Sequence, residues 1–242
     1  MNVPILIAGG VVAGILNVAA AGGGLVSFLA LTVTGVPPLT ANATNLAATP
    51  ASFLGGAPTA WRARKEIRIG FVGAVLGTAV GVWLVNNMTA DVFRRTAPIL
   101  LTVAALVLIL QPSIRNRLKQ RAETRTHPAA MTAWLFFTGV YAGGFGAGVG
   151  ILVLVVLAYT TPWPWGAVNT SKNVICLVTS LVGMGAFALT GLVVWPVAAI
   201  MAASMAVGGF VGQWITRHVP EELLRGTVAV MAAFGAGHMA AT

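Results

Sequence analysis

Five consecutive polar residues, Asn169-Thr170-Ser171-Lys172-Asn173, sit inside a stretch that otherwise reads as membrane-spanning. Lys172 runs directly into Val174-Ile175-Cys176-Leu177-Val178, so a helix carrying it takes an ammonium toward hydrocarbon. Insertion scales put the cost at about 2.5–3.5 kcal/mol, which makes such a residue a functional-site candidate. What a buried ammonium can do is hold an anion. A second polar cluster, Thr40-Ala41-Asn42-Ala43-Thr44-Asn45, lies in the first half. Both clusters read as helix openings, whose unpaired backbone N–H groups and dipole attract negative charge. The hydroxyls of Thr44, Thr170 and Ser171 and the amides of Asn42, Asn45, Asn169 and Asn173 would add directional donors. The five acidic residues, Glu66, Asp91, Glu123, Glu221 and Glu222, all fall in loops or at the ends of apolar blocks. The apolar interior therefore offers one cation and several donors but no carboxylate. That set suits a small anion and makes an acid–base or metal-dependent enzyme hard to assemble. No cofactor is expected. Two other readings stay open: Lys172 snorkelling to water from a membrane boundary, and the asparagines acting as caps or interhelical glue.

The elements that must position these residues are transmembrane helices. The chain has 242 residues, 57% hydrophobic and 8% charged, with a mean hydropathy of +0.89. A soluble domain carries about 25% charged residues, so an all-α integral membrane protein is expected, with the lipid bilayer as its surroundings. The net charge of +9 is carried by loop residues that act as orientation signals, so nucleic acid is excluded as a partner. The single cysteine, Cys176, permits no disulfide and no cysteine metal site. No basic region precedes the first apolar block, and the N-terminus is read as part of the mature protein. No Gly-x-x-x-x-Gly-Lys-Ser/Thr pattern is present to drive transport with ATP.

About eight apolar blocks follow one another: 3–34, 39–60, 69–87, 92–112, 129–160, 165–189, 192–216 and 222–241. The first and fifth are too long for one crossing and are broken, by Gly22-Gly23-Gly24 and by Gly143, Gly144, Gly146, Gly148 and Gly150. Broken backbone at membrane depth is tolerated only where protein buries it or it lines a wet cavity. Gly23, Gly24, Gly144 and Gly146 therefore join the candidate site. Each long block leads through a Pro- or Trp-containing turn into a polar cluster, and the next helix carries Gly77/Gly81 or Gly208/Gly212. This predicts two four-element repeats, 1–112 and 129–242, joined by a basic linker 113–128. The substrate would sit at the repeat interface, as in secondary transporters. If every block crosses once, Arg62, Arg64, Lys65, Arg68, Arg115, Arg117, Lys119, Arg121 and Arg125 face Arg94, Arg95, Arg217 and Arg225 across the membrane. If the long blocks fold back at their glycines, Arg217 and Arg225 join the majority. The positive-inside tendency favours that version, with inverted halves and with 61–68 and 113–128 cytoplasmic. Seven tryptophans near block ends read as interfacial anchors, with a partial exception for Trp163 and Trp165, which flank the approach to the Lys172 helix. His238 is the one histidine within an apolar block, a candidate proton relay or an interfacial residue.

The glycine-rich first helix, Gly35-Val36-Pro37-Pro38, Thr44-Asn45, Trp61-Arg62-Ala63-Arg64 and Asn169-Thr170-Ser171-Lys172 appear in an order that resembles the TauE/SafE family of sulfite exporters, over residues 5–240 or so. The resemblance implies a multi-pass inner-membrane permease for sulfite, a small organosulfur anion or a related anion, with proton coupling and a homodimer compatible with the sequence. An anion channel, or a permease for carboxylates without sulfur, is the alternative.

Overall fold

The computed structural model describes residues 2–19, 21–54, 65–120 and 126–215. The last apolar block with His238, the loop residues Arg62 and Arg64, and Arg121, Arg125, Arg217 and Arg225 lie outside the described residues. Within them the chain is all-helical, with no strand.

The first long block forms α1 (Val3–Ala19) and α2 (Gly23–Val33). The two run antiparallel: a Cβ on Gly9 would meet Ala30, and one on Gly23 would meet Ala13 and Asn17. Ala21, with φ 66°, turns the chain between them, a left-handed conformation that is uncommon outside glycine. The fifth block forms α6 (Pro128–Gly144) and α7 (Val149–Thr160) and folds back in the same way. The His127 N–H donates to the Thr160 carbonyl at 3.0 Å at the open end, and the Tyr141 hydroxyl donates to the Ala147 carbonyl at 2.7 Å at the closed end. Gly146 and Gly148, with φ of 70° and 77°, make this turn. The returning arms, of 11 and 12 residues, are shorter than the ~20 residues a full crossing takes. Both long blocks are thus helical hairpins with a tip buried in the protein.

The remaining helices are α3 (Pro38–Ala48), α4 (Lys65–Asn86), α5 (Ala90–Gln120), α8 (Trp165–Ala188) and α9 (Trp195–Ile215). Pro38 at the first turn starts α3. Pro50 has no N–H to continue it, and the chain passes into a 3₁₀ turn over Thr49–Phe53. Among the described residues, α8 and α9 are long and apolar enough to cross a membrane by length and composition. Residues 113–120, the first part of the basic linker, are helical and continue α5. One expectation is corrected here. The polar clusters 40–45 and 169–173 are not helix openings, because α3 begins at Pro38 and α8 at Trp165, so most of their backbone N–H groups lie within helix.

Glycines weld the halves together. α4 packs on α6, and α9 on α1, so in each case a long helix of one half lies on the opening helix of the other. A Cβ at Gly77 would strike the Phe136 carbonyl, one at Gly81 the Val140 carbonyl, and one at Gly143 the Thr78 carbonyl. In the second contact Gly208 meets the Val11 carbonyl and Gly14 the Met205 carbonyl. Close backbone approach of this kind is how helices associate in lipid, where apolar surface gives no driving force between them. Trp83, Trp134, Phe137, Phe210 and Trp214 stay more than half exposed and form the apolar outside. Trp163, set partly apart from the anchors because it flanks the approach to the Lys172 helix, is buried.

Candidate functional site

The two hairpin tips meet. A Cβ on Gly24 would lie 3.2 Å from the Ala147 Cα, and one on Gly150 would lie 2.8 Å from the Ala21 Cβ. The starts of α2 and α7 therefore converge, and with them two positive dipole ends and the first-turn amides, of which those of Leu25, Val149 and Ile151 already donate to the Gly22, Gly146 and Gly148 carbonyls. A pocket opens where they converge. Gly24, Gly146 and Val149 line it from the tips, Asn45 and Thr49 from α3 and its 3₁₀ extension, and Cys176, Thr179 and Ser180 from α8. It leaves ≈ 20 Å³ for the centres of water-sized molecules, enough for ordered water. A larger solute requires its walls to part.

Lys172 is fully buried. Its Nζ donates to the Asn17 carbonyl at 2.8 Å and the Val18 carbonyl at 3.3 Å. These belong to the last turn of α1, where carbonyls lack helical partners and a cation is favoured by the dipole. The ammonium thus closes the end of α1 two residues before the break. The spacing 172, 176, 179, 180 is one face of a helix, so Lys172 lies on the face of α8 that lines the pocket, one turn before Cys176. Asn17 links the two places, because it lines the pocket and offers its carbonyl to the lysine.

The other half has a crosswise counterpart. Asn42 on α3 donates through Nδ2 to the Gly144 carbonyl at 3.0 Å, so α3 holds the end of α6 as α8 holds the end of α1. Asn45 ties α3 to α2: its Oδ1 accepts from the Ser27 hydroxyl at 2.6 Å and its Nδ2 donates to the Gly24 carbonyl at 3.3 Å. Thr44 is buried and turned away from the tips, its Oγ1 accepting from the Val194 N–H at 3.1 Å. In the second cluster Ser171 and Asn173 are buried, Asn169 is half-buried and Thr170 is exposed. Gly23, Gly24, Gly144 and Gly146 stand at the two tips.

The expected division of labour is revised accordingly. The helix-start amides at the pocket belong to α2 and α7, those of Gly23, Gly24 and Gly150 among them, and not to the two polar clusters. Sequence reasoning also passed over Asn17, Ser27, Ser52, Thr49, Thr179 and Ser180. Asn17 donates to the Ser52 hydroxyl at 3.0 Å. For Thr179 and Ser180 the signal was their spacing from Lys172, seven and eight residues along the same helix; for Asn17 and Ser27 it was a lone polar residue in an apolar run. No group of three or more His, Cys, Asp or Glu able to hold a metal occurs among the described residues.

Against known proteins, a family model described as "Sulfite exporter TauE/SafE" matches residues 6–239. A "Probable membrane transporter protein" of Haemophilus influenzae is 25% identical over 233 residues, covering 94% of this chain and 90% of the relative. "Probable membrane transporter protein YfcA" of Escherichia coli K12 is 25% identical over 91% of this chain and 83% of its own length. "Probable membrane transporter protein ORF9" of a Sinorhizobium species is 28% identical over 83% and 78% respectively.

Proposed function

The chain belongs to the sulfite exporter TauE/SafE family, and on that premise we propose that this membrane transporter is a secondary permease for sulfite or a small organosulfur anion. The observation that carries the proposal is the meeting of the α2 and α7 starts at one pocket, beside a fully buried lysine. Discontinuous helices whose N-terminal ends point at an anionic group are the usual solution for a substrate held at mid-membrane. Sulfite and sulfonate oxygens are dense acceptors, and the amides of the two helix starts match them; the hydroxyls of Thr49, Thr179 and Ser180 would join once they turn from the Asn45, Ile175 and Leu177 carbonyls to which they donate. Lys172 contributes its charge from the α1 end without leaving its carbonyl partners.

The two halves act as inverted repeats, 1–112 and 129–242, with the substrate between them. The reciprocal packing of α4 on α6 and α9 on α1 supports this arrangement, as does the crosswise holding of α1 by Lys172 and of α6 by Asn42. The protein spans the inner membrane several times, with 61–68 and 113–128 facing the cytoplasm. The reaction is translocation, and no residue acts as a catalyst.

Purified protein in liposomes tests the reading. Sulfite, thiosulfate, taurine, sulfoacetate and sulfur-free carboxylates are offered as substrates under an imposed ion gradient. Concentrative uptake of a sulfur oxyanion supports the permease. Uptake that only equilibrates favours a channel, and preference for carboxylates sinks the sulfur assignment. For topology, single cysteines in 61–68, 113–128 and 217–225 on a Cys176→Ser background should all react from the cytoplasmic side. Labelling of 217–225 from the opposite side would remove the inverted arrangement.

A further inference from the structure

The end of α6 carries a set of oxygens that the anion site does not use. The Gly146 N–H turns back to the Tyr141 carbonyl at 3.1 Å, and the Ala147 N–H goes to the Phe145 carbonyl at 2.8 Å. In a continuing helix those two N–H groups would serve the carbonyls of Ala142 and Gly143, which are left facing the break. The Ala142 carbonyl faces the tip, since a Cβ on Gly146 would lie 3.2 Å from it. Asn42 reaches the same end, with its Nδ2 on the Gly144 carbonyl at 3.0 Å. The side chain of Asn42 is fully buried, yet its Oδ1 has no hydrogen-bond partner. A buried amide oxygen left unpaired has lost its water without replacement, and what relieves it is a donor or a cation. An anion would make it worse.

The other half indicates which. At the equivalent end of α1 the freed carbonyls of Asn17 and Val18 receive the ammonium of Lys172. One broken helix therefore ends on a built-in cation, and the other ends on a neutral amide with a spare acceptor. We propose that the α6 end, formed by the carbonyls of Ala142, Gly143 and Gly144 with Asn42 Oδ1, binds an alkali-metal cation in the place that Lys172 fills in the other half. The C-terminal ends of half-helices carry partial negative charge and coordinate sodium in transporters built of broken helices. All the oxygens here are neutral, which suits a monovalent ion; calcium-type sites recruit carboxylates. The ion would lie just before the tip that forms one wall of the anion pocket. Its use as a coupling ion rests on the transport reading, while its binding does not.

The test measures thermal unfolding of the full-length protein in detergent, without any sulfur anion, in sodium, potassium or choline chloride at equal ionic strength. At about a hundredfold excess over half-saturation, sodium or potassium should raise Tm by roughly 5 °C or more over choline. Asn42→Ala should abolish the difference between salts. Asn42→Lys places an ammonium where the ion would sit, and its Tm should be the same in all three salts and no lower than that of the parent in choline. Equal parental Tm in all three salts overturns the proposal, and so does an undiminished sodium response in Asn42→Ala. Should Asn42→Ala fail to fold, the parent and Asn42→Lys still decide it. Failure of every anion in the liposome assay would leave this measurement untouched, so the two readings fail separately.

Discussion

Replacing Lys172 by methionine separates what its charge does for the fold from what it does for the substrate. The substitution keeps most of the volume and removes two charge-assisted hydrogen bonds to the Asn17 and Val18 carbonyls, worth about 1.5–3 kcal/mol each. It also removes an ammonium whose placement in the membrane costs about 2.5–3.5 kcal/mol. The two effects partly offset, so folded stability should fall by at most about 3.5 kcal/mol. The substrate has no such compensation. Gly23 lies against the Asn17 side chain, which puts the first amides of α2 on the order of 8 Å from the ammonium. A unit charge at that distance, at an effective dielectric of about 20, contributes about 2 kcal/mol to holding an anion. That is a roughly thirty-fold rise in KM for the methionine variant. Lys172→Arg restores the charge and should recover most of it, while its planar fork fits the two α1 carbonyls less well than a compact ammonium. The assay is anion uptake into liposomes over a range of substrate concentration, with Tm measured on the same preparations. A KM within twofold of the parent for a folded Lys172→Met would refute the electrostatic argument.

Glycine substitutions should divide sharply by position. Gly77→Ala and Gly208→Ala force a methyl into the Phe136 and Val11 carbonyls and should each cost about 1–3 kcal/mol, read as a lower Tm; Gly185→Ala, with nothing within 4 Å, should leave stability unchanged or raise it by about 0.5–1 kcal/mol. Cys176 is the only cysteine of the chain and lines the pocket while buried, so a small methanethiosulfonate reagent should modify it slowly, and the transported anion should slow it further; labelling indifferent to every anion would place the substrate elsewhere. Leu46 fills the space between Gly146 and Gly183 and lines the pocket, so Leu46→Ala should cost about 2–5 kcal/mol and widen the range of anion sizes taken up, seen as a smaller preference for sulfite over larger sulfonates.

The breaks were the most legible part of the fold, because triple glycine or a Gly-x-Gly-x-Gly run in an apolar block cannot continue as a plain membrane helix. The fold-back at both was favoured by loop charge alone. The glycine pairs 77/81 and 208/212, read as a mark of the repeat, lie on neighbouring backbones. What they did not announce was the partner, since a small residue says only that something comes near. The polar clusters were misread in one respect. Asparagine and threonine read as an opening when they follow a proline turn, but Pro38 and Pro164 had already started α3 and α8. The clusters therefore sit further along, where side chains and not backbone amides reach across to the tips.

The asymmetry between the halves was visible as a lysine without a counterpart, but its consequence was not. Aligning Asn45 with Asn173 sets Thr44 against Lys172, yet Thr44 turns to the Val194 N–H, and the residue doing the corresponding work is Asn42. Residue-by-residue alignment of repeats assumes that equivalent tasks fall at equivalent positions. A lysine stem is several bonds longer than that of asparagine, so an ammonium can reach a helix end from further along its own helix, and the two tasks fall out of register. Only the positions of the Asn17, Val18 and Gly144 carbonyls, fixed by where each hairpin turns, reveal that the two side chains do the same job with different charge.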